Sequence, residues 1–351
     1  MTFDLERLVR KNIRDLKPYS SARSEFAGTA EVFLDANENA FGSPAGGGYN
    51  RYPDPLQTEL KRRIAPIKGV DSSQIFVGNG SDEAIDLLFR IFCEPRRDEA
   101  IICPPTYGMY RVSADINDVA VREIRLTDDF QLDVPAVVSA VRDETKLIFI
   151  CSPNNPTGNL MSRASIVEIA AKFSAIVVVD EAYIDFASEP SLTAELEHLP
   201  NLVVLQTFSK AWGMAGLRVG LAFASAEIIG LMNCVKPPYN VSGIAQRAVI
   251  DALDEQEKIT NWVASTLEQR SALSKSLAGL EFAEKVYPSD ANFILVKVIS
   301  AGAVYSHLVE EKIVVRNRNN VQLCGGCLRV TVGTREENRQ LLAALDKYDR
   351  N

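Results

Sequence analysis

The sequence predicts an α/β protein with a large domain on an open, mostly parallel sheet of seven strands flanked by helices, followed by a smaller α+β domain. Three observations carry this expectation. Up to residue 223, short apolar and β-branched runs alternate with segments of helical periodicity. The runs end in polar residues, at the strand ends where open parallel sheets bind ligands. Beyond a long helical stretch over 244–280, the strands are short and alternating, with helices between and after them.

In chain order, Leu5, Leu8, Val9 and Ile13 mark an amphipathic helix, and Pro18-Tyr19-Ser20-Ser21-Ala22-Arg23 an extended arm. Val32-Phe33-Leu34 reads as a short strand running into Asp35-Ala36-Asn37-Glu38-Asn39, then a Gly-rich loop and a helix over 56–67. Ile75-Phe76-Val77 is a strand; Gly78-Asn79-Gly80-Ser81-Asp82-Glu83 then opens a helix with the apolar stripe Ile85, Leu88, Phe89 and Phe92. Ser81 suits its N-cap, and glycines leading into free backbone N–H groups make an anion site, although an ordinary capped helix has the same pattern. Ala100–Cys103, Val121–Leu126, Leu147–Cys151, Ile176–Val179, Leu202–Leu205 and Val219–Phe223 complete the large sheet, with a helix through Ile166, Ile169, Ala170 and Phe173. Asn292–Val298, Ile313–Arg316 and Leu328–Val332 supply the small domain. The expected division is an arm over 1–28 packing with the small domain, a large domain over 29–250 and a small domain over 251–351.

Composition excludes several function classes. The 351 residues are 46% hydrophobic and 24% charged with a formal net charge of -8, which argues against nucleic acid or an anionic membrane as primary partner. No apolar run is long enough to span a bilayer and residues 1–17 do not read as a secretory signal, so the expectation is cytoplasmic. Two histidines, His198 and His307, leave little room for His-based catalysis or a His-ligated metal. The six cysteines are scattered; Cys324-Gly-Gly-Cys327 has no second pair or nearby His, so no metal is expected. Neither phosphate-loop fingerprint of nucleotide-binding proteins is present.

The chemistry centres on Thr207-Phe208-Ser209-Lys210-Ala211-Trp212-Gly213-Met214-Ala215-Gly216-Leu217-Arg218. A lysine is inert near neutral pH unless burial or a neighbouring cation lowers its pKa, and its familiar use in that state is a Schiff base. Ser209 and Arg218 beside it suit a phosphate; a surface Lys and an Arg closing a helix would read the same locally. Tyr107, Asn155, Asp180 with Tyr183, and Lys210 all fall at strand ends of one sheet. Singly, Asp180 could be a helix cap and Asn155 a turn former. Together they supply what pyridoxal 5′-phosphate needs: a carboxylate for the pyridine nitrogen, donors for the ring oxygen, an aromatic over the ring and a lysine for the aldehyde.

These residues carry a resemblance. The chain resembles the fold-type I pyridoxal-phosphate aminotransferases, and among them the histidinol-phosphate aminotransferases. The match runs through Pro18-Tyr19, Asn37-Glu38-Asn39, Arg51-Tyr52-Pro53, Gly80-Ser81-Asp82-Glu83, Pro104-Pro105-Thr106-Tyr107-Gly108-Met109-Tyr110, Cys151-Ser152-Pro153-Asn154-Asn155-Pro156-Thr157-Gly158, Asp180-Glu181-Ala182-Tyr183, Ser209-Lys210 and Leu328-Arg329-Val330-Thr331-Val332-Gly333-Thr334. Met214, where many relatives have Leu, is a volume-conserving departure.

The resemblance implies Lys210 as the Schiff-base lysine and proton shuttle, Asp180 on the pyridine nitrogen, Asn155 and Tyr183 on the ring oxygen, and Tyr107 over the ring. It places Gly80, Ser81, Asp82, Ser209 and Arg218 on the cofactor phosphate, joined by Tyr52 from a neighbouring subunit in a homodimer with shared active sites. Arg329 would bind the acidic end of the substrate, Arg316 and Tyr19 would assist with a phosphate, and Asn37 would lie on a closing loop. The alternative for Arg316, in Arg316-Asn317-Arg318-Asn319-Asn320, is a solvated loop charge. The implied reaction is transamination between L-histidinol phosphate and 2-oxoglutarate, giving imidazole acetol phosphate and L-glutamate. An aromatic or broad amino-acid aminotransferase, a phospho-amino-acid decarboxylase on the same scaffold, and a non-catalytic module of this fold stay open; Lys210 and the lack of a spare domain argue against the last.

Overall fold

The computed structural model describes residues 3–19 and 30–349. Its large sheet comprises β1 (Ile75–Asn79), β2 (Glu99–Ile102), β3 (Ala120–Glu123), β4 (Thr145–Cys151), β5 (Ile176–Asp180), β6 (Leu202–Thr207) and β7 (Val219–Phe223), in the order β1-β7-β6-β5-β4-β2-β3. β6, β5, β4, β2 and β3 pair in parallel, and β7 runs antiparallel to both β6 and β1. Because β7 returns beside β6, the link between them turns at the C-terminal end of β6, which is where Lys210 sits.

The near-continuous apolar strands follow from burial on both faces. Along β5, Val177 and Val179 join a core cluster with Ile148, Ile150 and Val204, whereas Ile176 and Val178 join another with Phe89, Phe149 and Val203. Helices Ser81–Phe92 and Ala226–Val235 cover the second face, helix Arg163–Lys172 the first.

The smaller sheet is antiparallel, in the order β10-β11-β9-β8, with β8 (Ala283–Val286), β9 (Phe293–Val298), β10 (Arg316–Asn317) and β11 (Cys327–Thr331). Its core joins Ile294, Val296 and Val330 to Val304, Leu308, Leu341 and Leu345 of helices Ala301–Glu310 and Arg335–Asp349, and to Leu273 and Leu277 of helix Gln256–Ala278. That last helix reaches both domains, since Ile259 near its start belongs to the large-domain core.

Several expectations are corrected. The N-terminal helix is two single turns, Leu5–Leu8 and Lys11–Arg14, because Val9 and Arg10 are extended. The described arm packs on the large domain instead of the small one: Leu8, Val9 and Ile13 enter its core, and the Arg10 amide donates to Ile91 O at 3.0 Å. Residues 20–28 lie outside the described residues. Val32–Leu34 is not a strand; Val32 and Leu34 are exposed, and Arg51 donates to Phe33 O. Gly80, in a left-handed conformation (φ 76°), takes the N-cap position expected for Ser81, which becomes the first helical residue. The stretch over 244–280 is helix Gly243–Ala252, a tight turn over Leu253–Glu255 and helix Gln256–Ala278. Strand β3 stops at Glu123, short of Leu126, and β10 begins only at Arg316.

Candidate active site

Six segments deliver side chains to one cavity of about 680 Å³ between the C-terminal edge of the large sheet and the β10–β11 end of the small one. β5 ends in Asp180, the turn after β4 carries Asn155, and the link after β6 carries Ser209, Lys210 and Arg218. The start of helix Ser81–Phe92 brings Ser81 and Asp82, the turn after β2 brings Tyr107, and the small domain brings Arg316, Arg318 and Arg329.

Asp180 is the electrostatic centre. It is fully buried, and burial pushes its pKa from the ordinary value of 3.8 up to about 6, against the lowering effect of two hydrogen bonds. Tyr110 OH donates to one carboxylate oxygen at 2.8 Å, and the Ala182 amide donates to the other at 3.1 Å. Tyr110 is held by stacking on Phe149 at 4.8 Å and by an edge contact with Tyr107 at 5.6 Å. Tyr110 closes the Pro104–Tyr110 stretch of the resemblance, and nothing in its local sequence marks it as the partner of Asp180.

Lys210 opens toward the same space, its ammonium 5.5 Å from the centre of the Tyr183 ring. Desolvation, then the nearby Arg329 cation, lower its pKa. Tyr183 is buried against Phe293, and desolvation raises its phenol pKa. The Asn155 side-chain oxygen accepts from Arg329, leaving the amide N–H groups as donors. Neighbouring Asn154 pins this turn by donating to Pro105 O at 2.8 Å and to Thr157 Oγ1 at 2.7 Å.

The opposite end of the cavity is an anion cradle. A Cβ on Gly220 of β7 would lie 2.1 Å from the Ser81 nitrogen, so only glycine lets the helix start sit directly on the strand. Arg218, in a left-handed conformation (φ 55°), donates to Ser209 Oγ at 3.3 Å and meets Asp82 at 3.5 Å; Tyr107 OH also donates to Asp82, at 3.1 Å. Gly80 closes the cradle, where a Cβ would meet the Arg218 guanidinium at 2.7 Å. Free helix N–H groups, two hydroxyls and a guanidinium around one point suit a phosphate monoester.

The cavity thus joins Ser81, Asp82, Tyr107, Asn155, Asp180, Tyr183, Ser209, Lys210, Arg218, Arg316 and Arg329 of the sequence-derived set. It does not include Gly80, which borders the cradle behind Arg218, nor Tyr19, Asn37 or Tyr52. Tyr19 is exposed, while Asn37 and Tyr52 line a second cavity of about 970 Å³, where Tyr52 stacks on Tyr239 at 4.4 Å. Arg318, which the sequence reading passed over, lines the first cavity. Among the described residues there is no cluster of His, Cys, Asp and Glu suited to a metal, and the six cysteines are free thiols. No helix among them is long and apolar enough to cross a membrane.

The residues fit pyridoxal phosphate. A buried carboxylate facing the cavity matches a protonated ring nitrogen, the cradle matches the phosphate, and Lys210, lining the same cavity, matches the aldehyde.

Residues 23–345 match the model of the family described as aminotransferase class I and II. The chain is 54% identical over 342 residues to a histidinol-phosphate aminotransferase from Parabacteroides distasonis, covering 97% of this chain and 98% of that protein. It is 52% identical to one from Cytophaga hutchinsonii, over 99% of this chain and all of that one. The crystal structure of histidinol-phosphate aminotransferase from Sinorhizobium meliloti in complex with pyridoxal-5′-phosphate superposes with a TM-score of 0.79 at 25% identity, covering 90% of this chain and 89% of that chain. The chain belongs to the class I and II aminotransferases, in the branch of the histidinol-phosphate aminotransferases.

Proposed function

We propose that this protein is a pyridoxal-phosphate-dependent aminotransferase that moves the amino group of L-histidinol phosphate to 2-oxoglutarate, a step of L-histidine biosynthesis, by a ping-pong route in the cytoplasm. The observation that carries the reading is one cavity with Lys210 and Asp180 on its floor, a phosphate cradle at one end and three arginines at the other. Bound pyridoxal 5′-phosphate supplies the aldehyde that accepts the amino group and the ring that draws electrons from the substrate Cα.

The residues divide the remaining work. Asp180 as the anion holds the proton on the ring nitrogen, and Asn155 and Tyr183 donate to the ring oxygen. Tyr107 covers the ring face. Gly80, Ser81, Asp82, Ser209 and Arg218 hold the cofactor phosphate. Lys210 Nζ would take and give up the proton at the substrate Cα; its lowered pKa keeps more of the free amine near neutral pH than an ordinary lysine would. Arg329, half-buried and fixed by Asn155, binds the distal anion of the substrate, with Arg316 beside it.

Tyr52, Asn37 and Tyr19 act in this reading from the neighbouring subunit of a homodimer with shared active sites. Supporting it, Tyr52 and Asn37 line the second cavity and Tyr19 is exposed. The deciding experiment follows amino transfer from L-histidinol phosphate to 2-oxoglutarate alongside carbon dioxide release from phospho-amino acids. Transfer without release is expected; release without transfer assigns the scaffold to a decarboxylase.

A further inference from the structure

The small-domain wall of the cavity carries a third cation. Arg316 and Arg329 are direct cross-strand partners of β10 and β11, so their side chains share a face. The Arg318 amide donates to Cys327 O at 2.9 Å and extends that ladder by one step, so Arg318 falls on the same face as Arg316, two residues on. All three line the cavity.

Arg318 is not a solvated loop charge. The segment after it is tightly turned: Val321 N donates to Arg318 O, Cys324 N to Val321 O and Cys327 N to Cys324 O, each at 2.9 Å. Asn317 and Asn319 side chains accept from the amides of Asn319 and Gly326 at 2.9 and 2.8 Å. Arg318 is half-buried, and its Nε is shielded from solvent without a hydrogen-bond partner. Desolvation and then the Arg316 cation lower its pKa, with no carboxylate among the groups acting on it. Arg329 is in the same condition, with a shielded, unpartnered Nε and Arg318 as the first charge acting on it. Among the described residues, the carboxylates lining the cavity are Asp82 and Asp180, held by Arg218 and Tyr107 and by Tyr110. Three mutually repelling guanidiniums with no counter-charge among the described residues form a wall that a dianion would neutralise better than a monoanion.

We propose that Arg318 is a specificity-determining residue that, with Arg316 and Arg329, holds the distal group of the amino donor and favours a phosphate monoester over a carboxylate. This rests on the reading of the cavity as the substrate site of an aminotransferase. A carboxylate has two oxygens and one charge, which Arg329 saturates alone. A phosphate monoester presents three terminal oxygens and up to two charges, enough to engage Arg318 as well.

The test uses the holoenzyme and the variants Arg318→Gln, which keeps a long polar side chain without charge, and Arg318→Lys, which restores the charge without the fork. For Arg318→Gln, kcat/KM for L-histidinol phosphate is expected to fall about ten- to hundredfold, mainly through KM, the loss of a charge-assisted hydrogen bond. The value for L-glutamate as donor changes less than about threefold on the same grounds, and Arg318→Lys recovers part of the loss. Inorganic phosphate, titrated calorimetrically into the holoenzyme, should bind Arg318→Gln at least about fivefold more weakly. Equal losses for both donors, or unchanged phosphate affinity, overturn the proposal. A wild-type enzyme that ignores L-histidinol phosphate would instead refute the substrate assignment, while phosphate binding and its dependence on Arg318 still decide the role of this residue.

Discussion

Replacing Tyr110 with Phe isolates the hydrogen bond that holds Asp180 ionised. The ring would keep its stacking on Phe149 and its edge contact with Tyr107, so only the phenolic oxygen is lost. That oxygen donates at 2.8 Å to a fully buried carboxylate whose pKa is already about 6. A hydrogen bond to a charged group contributes about 1.5–3 kcal/mol. At 1.36 kcal/mol per pKa unit this moves Asp180 up by roughly one to two units, to about 7 to 8. If cofactor affinity depends on the Asp180 anion, its pH midpoint moves up by the same amount: the dissociation constant for pyridoxal phosphate rises about tenfold near pH 6.5 and changes little at pH 9. The assay is a titration of apoprotein with cofactor, followed by fluorescence quenching across that range. Linkage supplies a second readout. A carboxylate whose folded pKa lies above its unfolded value contributes stability that is lost as pH rises through the folded pKa, near 6 in the wild-type apoprotein and higher in the variant. A cofactor pH midpoint within about 0.3 units of wild type would refute the reasoning.

Lys210→Ala should keep the fold and cofactor affinity within an order of magnitude while abolishing transamination, since among the described residues no other amine lines the cavity; turnover within about tenfold of wild type would remove the proton-transfer role. Arg329→Ala should raise KM for L-histidinol phosphate more than Arg316→Ala, because Arg329 is half-buried and tied to Asn155 whereas Arg316 is exposed; steady-state kinetics with the reverse order would displace Arg329 from the centre of the subsite. Gly220→Ala puts a methyl group against the Ser81 nitrogen, so it should lower stability by about 1–3 kcal/mol and weaken cofactor binding, measured by thermal melting with and without cofactor; an unchanged melting temperature would show that the cradle is not so tightly built.

What was legible in the sequence was what strand ends reveal. A buried strand of a parallel sheet is an unbroken apolar run, so polar residues at or just past its end are conspicuous, and Asp180 at the end of β5 and Lys210 just beyond β6 stand out for that reason. Tyr110 was not legible, because a tyrosine in an apolar helical stripe looks like core until its hydroxyl is seen on Asp180. Arg318 sits in a polar run that reads as a surface loop; only the extended ladder to Cys327 and the tight turns after it fold that run onto the cavity. Strand β8 escaped because Glu284 and Lys285 are exposed, giving Ala283–Val286 little apolar alternation. The expected helix over 244–280 was drawn too long, since the turn at Leu253–Glu255 breaks it without glycine or proline. The N-terminal helix failed for a tertiary reason: the Arg10 amide and guanidinium are bonded to Ile91 O, Arg90 O and Glu94, which holds Val9 and Arg10 extended.

The most direct test of the central claim is the absorbance spectrum of the protein with bound pyridoxal 5′-phosphate, recorded before and after L-histidinol phosphate and again after 2-oxoglutarate. The account predicts a visible band that requires Lys210, disappears with L-histidinol phosphate in the absence of an acceptor and returns on adding 2-oxoglutarate. A band that forms but does not respond to L-histidinol phosphate would contradict the substrate assignment, and the lack of any Lys210-dependent band would contradict the assignment of this cavity as the catalytic site.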